Sequence, residues 1–177
     1  AAGYAGNTEW RELLVLGDEA WDVVVLQEQS QIPGFPQTDD DWVDSNEACG
    51  LLDDFIEAKG ADTMLLMTWG QRDGDIANPE LYPDYSTMQD LVTEGYLPYA
   101  ANQTTLERRI YVAPAGLAFQ AIHDGDLDTF QALYDSDGSH PAAMGSTLTA
   151  AVIYASMTGR SPEGLAGDPS LTEAVVD

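Results

Sequence analysis

The hydrophobic residues of this chain fall into short continuous runs separated by longer amphipathic segments. The first run, from Trp21 to Gln27, is rich in valine and ends in polar residues, which is typical of a strand buried on both faces of a parallel sheet. A second run covers Thr63 to Thr68, and a third lies within RRIYVAPAG, where proline and glycine end it. We therefore predict three buried strands.

The segments between and after these strands have the apolar spacing of helices. SNEACGLLDDFIEAKG predicts a helix with Ser45 as its N-cap, and a second helix is predicted from Ser86, where Gln89 would complete a capping box. LAFQAIHDGD predicts a short helix after the third strand. The last helix is predicted to start at Pro141 and to end before Gly159.

The alternation of strands and helices predicts a parallel sheet covered by helices on both faces, with functional groups at the carboxyl ends of the strands. The sequence has no internal repeat or second apolar core, so we expect a single domain over residues 1–177. Three strands make a narrow sheet for this architecture, and we expect at least one further strand outside the sequence given.

Charge narrows the possible partners. The chain has 31 acidic and 6 basic residues, a net charge of −25, which disfavours binding to nucleic acid or to anionic membranes. A secreted, periplasmic or salt-adapted setting fits this excess, although an ordinary acidic surface would also explain it. The longest apolar run is far too short to span a bilayer. Cys49 is the single cysteine, so neither an internal disulfide nor a thiolate metal cluster is expected.

The stretch DSDGSHPAAMGS contains the first candidate for chemistry. An Asp137-x-x-His140 spacing through a glycine-containing turn can return the carboxylate to the imidazole, which would fix the ring tautomer and leave the other nitrogen to act as a general base for a serine. Alternatively, Asp137, Ser139 or His140 caps the helix predicted at Pro141. The spacing alone favours capping, and both interpretations stay open.

Other polar residues give weaker signals. Trp69, Arg72 and Asp73 follow the second strand and could line a pocket, although a tryptophan there could equally pack under the long loop. His123 is expected to interact with the end of its helix. The acidic stretches TDDDWVD and HDGDLD suggest calcium only superficially, because neither has the full loop pattern. We expect no metal and no cofactor.

Five segments together resemble the SGNH/GDSL hydrolase superfamily: VVVLQEQS, LLMTWGQRDGD, YSTMQDLVTEGY, VAPAG and LYDSDGSHPAAMGSTLTAAVIYASMTGRSP. The resemblance covers roughly residues 20–165. It implies a flavodoxin-like three-layer α/β/α sandwich with a parallel sheet, in which an aspartate and a histidine serve a serine carried just after the first strand. Asp137 and His140 match those two positions.

The sequence departs from the superfamily at the nucleophile. No Gly-Asp-Ser or Gly-Asn-Ser box is visible, and Gly17-Asp18-Glu19, which imitates one, has glutamate where serine is required and is predicted to be a loop. We expect that the nucleophilic serine and the oxyanion glycine lie upstream in a longer precursor, and that this chain is its C-terminal portion.

The superfamily's oxyanion asparagine is also absent. Gln27 or Gln29 could supply the amide donor instead, or both could be a polar strand end that bonds to the neighbouring loop. Ser30 is the best nucleophile candidate within the chain, although the resemblance puts the nucleophile elsewhere.

The expected function is therefore hydrolysis of a carboxylic ester, of a small molecule or of acyl or acetyl groups on a glycan, with this chain supplying the Asp-x-x-His half of the triad. An N-terminal fragment or a neighbouring chain would complete the sheet. The alternative is a secreted, non-catalytic binding or assembly module on the same fold, since an open sheet edge can pair with another chain.

Overall fold

The computed structural model describes residues 20–105 and 108–164, so the Gly17-Asp18-Glu19 segment lies outside the described residues. Three strands, five α-helices and one short 3-10 turn (Ile32–Gly34) make up this part of the chain. In chain order they are β1 (Val23–Leu26), α1 (Asp40–Ala58), β2 (Asp62–Leu66), α2 (Tyr85–Gln103), β3 (Tyr111–Ala113), α3 (Ala115–Gly125), α4 (Leu127–Ala132) and α5 (Ala143–Thr158).

The strands form one parallel sheet in the order β1-β2-β3. Val23 is paired with Asp62 in the first ladder, and Met64 with Tyr111 in the second. Each strand is followed by a helix before the next strand begins, as parallel neighbours require. The predicted mixed α/β fold with a parallel sheet is confirmed.

The central strand β2 divides the core into two layers. Met64 and Leu66 point to one apolar cluster, whereas Leu65 and Met67 point to the other, because side chains alternate along a strand. The first cluster is completed by residues of α3, α4 and α5, among them Phe119, Phe130 and Leu148. The second is completed by residues of α1 and α2, among them Trp42, Cys49, Met88 and Tyr96. The result is an α/β/α sandwich.

The first helix starts earlier than the sequence predicts. Asp39 is its N-cap, with a side chain that accepts a hydrogen bond from the backbone N–H of Asp41 at 3.0 Å. Ser45 is buried within the helix, so the prediction of Ser45 as N-cap is wrong. The acidic run TDDD thus supplies the cap and first turn of α1, where negative charge is favourable.

The capping box predicted for the second helix is also wrong. Asp84 caps α2 by accepting from the N–H of Thr87 at 2.8 Å. Gln89 is fully buried, and its Oε1 accepts from the N–H of Gly70 at 2.9 Å, in the loop after β2. The Gln89 side chain, which the local pattern assigned to the capping box, therefore forms a tertiary hydrogen bond instead.

The last two helices differ from the prediction, one in its existence and the other in the residue at which it starts. Helix α4 was not predicted from the sequence. Asp126 caps it by accepting from two backbone N–H groups, so this part of the HDGDLD stretch is a helix start. Helix α5 begins at Ala143, after Pro141, with Ala142 as N-cap. It ends at Gly159, whose φ of 65° is left-handed, as predicted from the glycine. No helix in the described part of the chain is long and apolar enough to cross a membrane.

Candidate functional site

The Asp-x-x-His sequence lies in a closed loop between α4 and α5, which we call the dyad loop (residues 135–141). The N–H of Asp135 donates to the carbonyl of His140 at 2.9 Å, and that of Ala142 donates to the carbonyl of Leu133 at 2.8 Å. These two bonds tie the ends of the loop together and limit the conformations that it can adopt.

Asp137 binds three donors within this loop. Its Oδ1 accepts from the backbone N–H groups of Ser139 and His140, both at 2.9 Å, and its Oδ2 lies 2.7 Å from Nδ1 of His140. None of these residues caps α5, whose N-cap is Ala142 without a side-chain bond. The two backbone bonds orient the carboxylate so that its second oxygen meets the imidazole.

The contact shifts the titration of both partners. The hydrogen bond from the His140 ring, helped by the two backbone N–H groups, lowers the pKa of Asp137 to about 2. The same hydrogen bond raises the pKa of His140, and the nearby Asp135 carboxylate adds to this rise. Both side chains are solvent-accessible, with 50% of Asp137 and 78% of His140 exposed. With its proton on Nδ1, the ring presents Nε2 as an acceptor at the surface.

The segment that follows β2 is hydrogen-bonded to the backbone of the dyad loop. Nε1 of Trp69 donates to the carbonyl of Ser139 at 3.1 Å, and the N–H of Arg72 donates to the carbonyl of Gly138 at 2.8 Å. The Trp69 ring is stacked on Phe119 at 4.4 Å in the core. Gly138 has a φ of 68°, a left-handed conformation that favours glycine. The loop is therefore attached to the carboxyl end of the central strand.

The three predicted pocket residues have different positions. Trp69 is only 8% exposed and lies beneath the dyad loop. Arg72 forms an ion pair with the adjacent Asp73, with Nη2 and Nε at 2.7 and 2.9 Å from the same carboxylate oxygen. Asp73 itself lines an open groove.

This groove, which we call the Ile76 groove, adjoins the dyad loop and has a volume of about 420 Å³. Most of this groove was not predicted from the sequence, because an isolated apolar residue in a polar loop produces no periodic signal. Its lining residues are Gln71, Asp73, Gly74, Asp75, Ile76, Pro79, Tyr82, Pro83, Asp137 and Gly138.

The oxyanion and nucleophile candidates lie after β1. Gln27 lines a small cavity of about 30 Å³ together with Glu28, Ser45 and residues of α1 and α2. The backbone N–H of Gln29 donates to the carboxylate of Glu28 at 2.7 Å. Ser30 is half-buried in the turn that leads into the 3-10 turn. No hydrogen bond in the described part of the chain joins these residues to His140, and their roles stay predictions.

Other reactive side chains are held in structural contacts. Ser45 donates to the carboxylate of Glu28 across the small cavity. Burial, together with nearby carboxylates, raises the pKa of the Cys49 thiol to about 12, which keeps it protonated at neutral pH. His123 is packed between Tyr85 and Phe130, with ring centroids at 4.7 and 4.8 Å. Among the residues described, no three His, Cys, Asp or Glu side chains are grouped as a metal site would need.

Comparison with solved structures places this geometry in a known fold. The chain is similar to a protein from Slackia heliotrinireducens described as "a putative SGNH hydrolase", with 28% identity and a TM-score of 0.64 over 84% of this chain and 71% of that one. It is also similar to a DUF4886 family protein from Bacteroides uniformis, with 21% identity and a TM-score of 0.66 over 89% of this chain and 60% of that one. No protein-family model and no curated protein matches the sequence. The resemblance inferred from the sequence is thus supported by structure, and the chain has an SGNH-like α/β/α fold.

Proposed function

We propose that this chain carries the base half of a serine hydrolase that acts on carboxylic esters. The observation that carries the proposal is the 2.7 Å contact between Oδ2 of Asp137 and Nδ1 of His140, at the surface of an SGNH-like fold. A carboxylate bound to one ring nitrogen leaves the other nitrogen basic and accessible, which is the arrangement that activates a serine hydroxyl.

The reaction would follow from the roles of these two side chains. Nε2 of His140 takes the serine proton while the serine oxygen attacks the ester carbonyl carbon, and the imidazolium that forms is stabilised by Asp137. The ring then gives its proton to the leaving alcohol as the C–O bond breaks, which leaves an acyl-enzyme. Water, deprotonated by His140, releases the acid and restores the serine.

We further propose that the esters are acyl or acetyl groups of small molecules or glycans. The serine would come from a preceding segment or an associated chain, as the superfamily resemblance suggests, with Ser30 as the candidate inside this chain. Gln27 or Gln29 would donate to the oxyanion.

Labelling with a fluorophosphonate probe, followed by peptide mapping, tests the proposal. We expect the natively purified protein to be labelled at one serine, and the His140→Ala variant to lose nearly all labelling and ester turnover, by about a hundredfold or more. A His123→Gln variant, whose change lies outside the dyad, is the matched control, with folding of both variants checked by circular dichroism.

The labelled peptide then decides between the nucleophile candidates. A label on Ser30 would move the nucleophile into this chain. Unlabelled but folded protein, or equal labelling of wild type and His140→Ala, would contradict the proposed function.

One observation favours a second candidate, a non-catalytic secreted or periplasmic binding module. Among the residues described, β1 is paired with β2 alone, and an unpaired strand edge can accept a strand from another chain. Folded protein that the probe leaves unlabelled would support this candidate.

A further inference from the structure

The wall of the Ile76 groove is a rigid loop. Gly74 has a φ of 81°, and a Cβ at this position would lie 2.5 Å from the carbonyl oxygen of Tyr82. The N–H of Asp75 donates to that same carbonyl at 2.9 Å. A glycine at position 74 therefore allows the loop to fold back on itself, and this contact fixes where its tip lies.

A buried carboxylate fixes the tip itself. Asp75 is 3% exposed, and its two oxygens accept from the N–H of Ala77 at 2.9 Å and from Nδ2 of Asn78 at 2.7 Å. Ile76 lies between these contacts and is 95% exposed. The hydrogen bonds on both sides therefore hold the backbone of Ile76 at the tip of the loop, where its side chain is exposed to solvent.

The groove beside this tip carries negative charge. The carboxylates of Asp73 and Asp137 both line it, and 70% of the Asp73 side chain is exposed. The guanidinium of Arg72 is bound to Asp73, and the His140 ring is bound to Asp137. Among the residues described, no Lys or Arg lines the groove, so an anionic ligand would meet like charge there.

We propose that the Ile76 groove binds the non-reacting part of the ester, and that this part is uncharged or cationic and presents an apolar surface to Ile76. The inference rests on the proposed function, because Asp137 belongs to both the dyad and the groove wall. The volume of about 420 Å³ is in the range of small-molecule sites. Ile76 is the specificity-determining contact and takes no part in proton transfer.

The test is a titration of the full 177-residue chain with three matched, non-hydrolysable amides. Binding is measured from the shifts of the NMR signals of the Ile76 methyl groups and the Gly138 amide. The probes are hexylacetamide and its two counterparts with a terminal carboxylate or a terminal ammonium. We expect saturable shifts with the neutral and cationic amides and about tenfold weaker binding of the carboxylate.

Substitution separates the contact from general binding. Ile76→Ser should weaken binding of the neutral amide by about three- to tenfold, because the apolar contact is lost. Leu97→Ser, at an exposed position on α2 away from the groove, is the matched control and should leave the affinity unchanged. Both substitutions are at exposed positions, so the fold should be retained.

Each result decides the inference. Equal affinity of wild type and Ile76→Ser, equal affinity for the carboxylate and neutral probes, or no binding of any probe would overturn it. Selective binding by the chain, together with natively purified protein that is folded but neither hydrolyses esters nor reacts with the fluorophosphonate probe, would uphold the groove while refuting the proposed hydrolase function.

Discussion

Asp137 and His140 interact through a contact that is short and yet open to solvent. The hydrogen bond with the Asp137 carboxylate is the largest contribution to the raised pKa of His140. Replacing this carboxylate in an Asp137→Asn variant should lower the ring pKa towards its ordinary value, which NMR titration of the His140 ring can follow. Asp54→Asn, an exposed change on α1, should leave that pKa where it is.

The direction of this shift predicts the pH profile of the complete hydrolase. A general base must be neutral, so ester turnover should fall as the pH drops through the raised pKa of His140. In Asp137→Asn the remaining turnover should have its acid limb at lower pH, although the maximum rate is much reduced because the imidazolium has lost its partner. An unchanged His140 titration in this variant would show that the carboxylate does not control the ring.

Local sequence could reveal this pair because its spacing is three residues and one turn brings the groups together. The errors at Ser45 and Gln89 have the opposite cause. Both were predicted as caps from local pattern, but Ser45 binds Glu28 and Gln89 binds Gly70, partners that are distant in sequence. Polar side chains with a buried tertiary partner escape rules that consider neighbouring residues only.

Two long-range hydrogen bonds attach the dyad loop to the segment after β2, and one of them runs from the side chain of Trp69 to the carbonyl of Ser139. Trp69→Phe removes this bond and keeps a ring that can stack on Phe119. We expect a loss of about 1 kcal/mol in the free energy of unfolding, together with faster hydrogen exchange of the Ser139 and His140 amides.

A second tryptophan provides the control for that experiment. Trp42 is also buried against an aromatic ring, but its Nε1 has no hydrogen-bond partner in the part of the chain that the structure describes. Trp42→Phe thus makes the same change in volume without breaking a hydrogen bond, and amide exchange in the dyad loop should stay at the wild-type rate. If both variants accelerate exchange equally, the Trp69 bond does not hold the loop.

Elements with strong local signals were the ones that the sequence predicted. All three strands and the end of α5 at Gly159 were predicted, because a buried apolar run and a glycine after a helix are both signals that neighbouring residues contain. Helix α4 was missed because its six residues are too few to show an apolar period. The Ile76 groove was missed because its walls come from segments that only the folded chain brings together.

The two-layer core follows from a single strand. Because β2 is buried on both faces, its alternating side chains join the helices of each layer to one sheet, and the apolar run from Thr63 onward was enough to predict this. The same reasoning could not predict the helix contacts that complete each cluster, since those depend on how whole helices pack.

The net charge of −25 acts on the molecule as a whole. Like charges on a compact surface repel one another, and this repulsion is relieved on unfolding, so the folded state should be least stable at low ionic strength. Raising NaCl from about 0.01 to 1 M shortens the screening length from about 30 to 3 Å and should raise Tm by about 5 °C, as measured by calorimetry.

Neutralising three exposed carboxylates on α1, in an Asp44→Asn/Glu47→Gln/Asp54→Asn variant, should raise Tm at low salt and flatten its dependence on NaCl. The uncharged isosteres leave the helix surface otherwise unchanged. If Tm rises equally with NaCl in the wild type and in the variant, the rise comes from the action of salt on apolar burial, and charge repulsion is excluded as its cause.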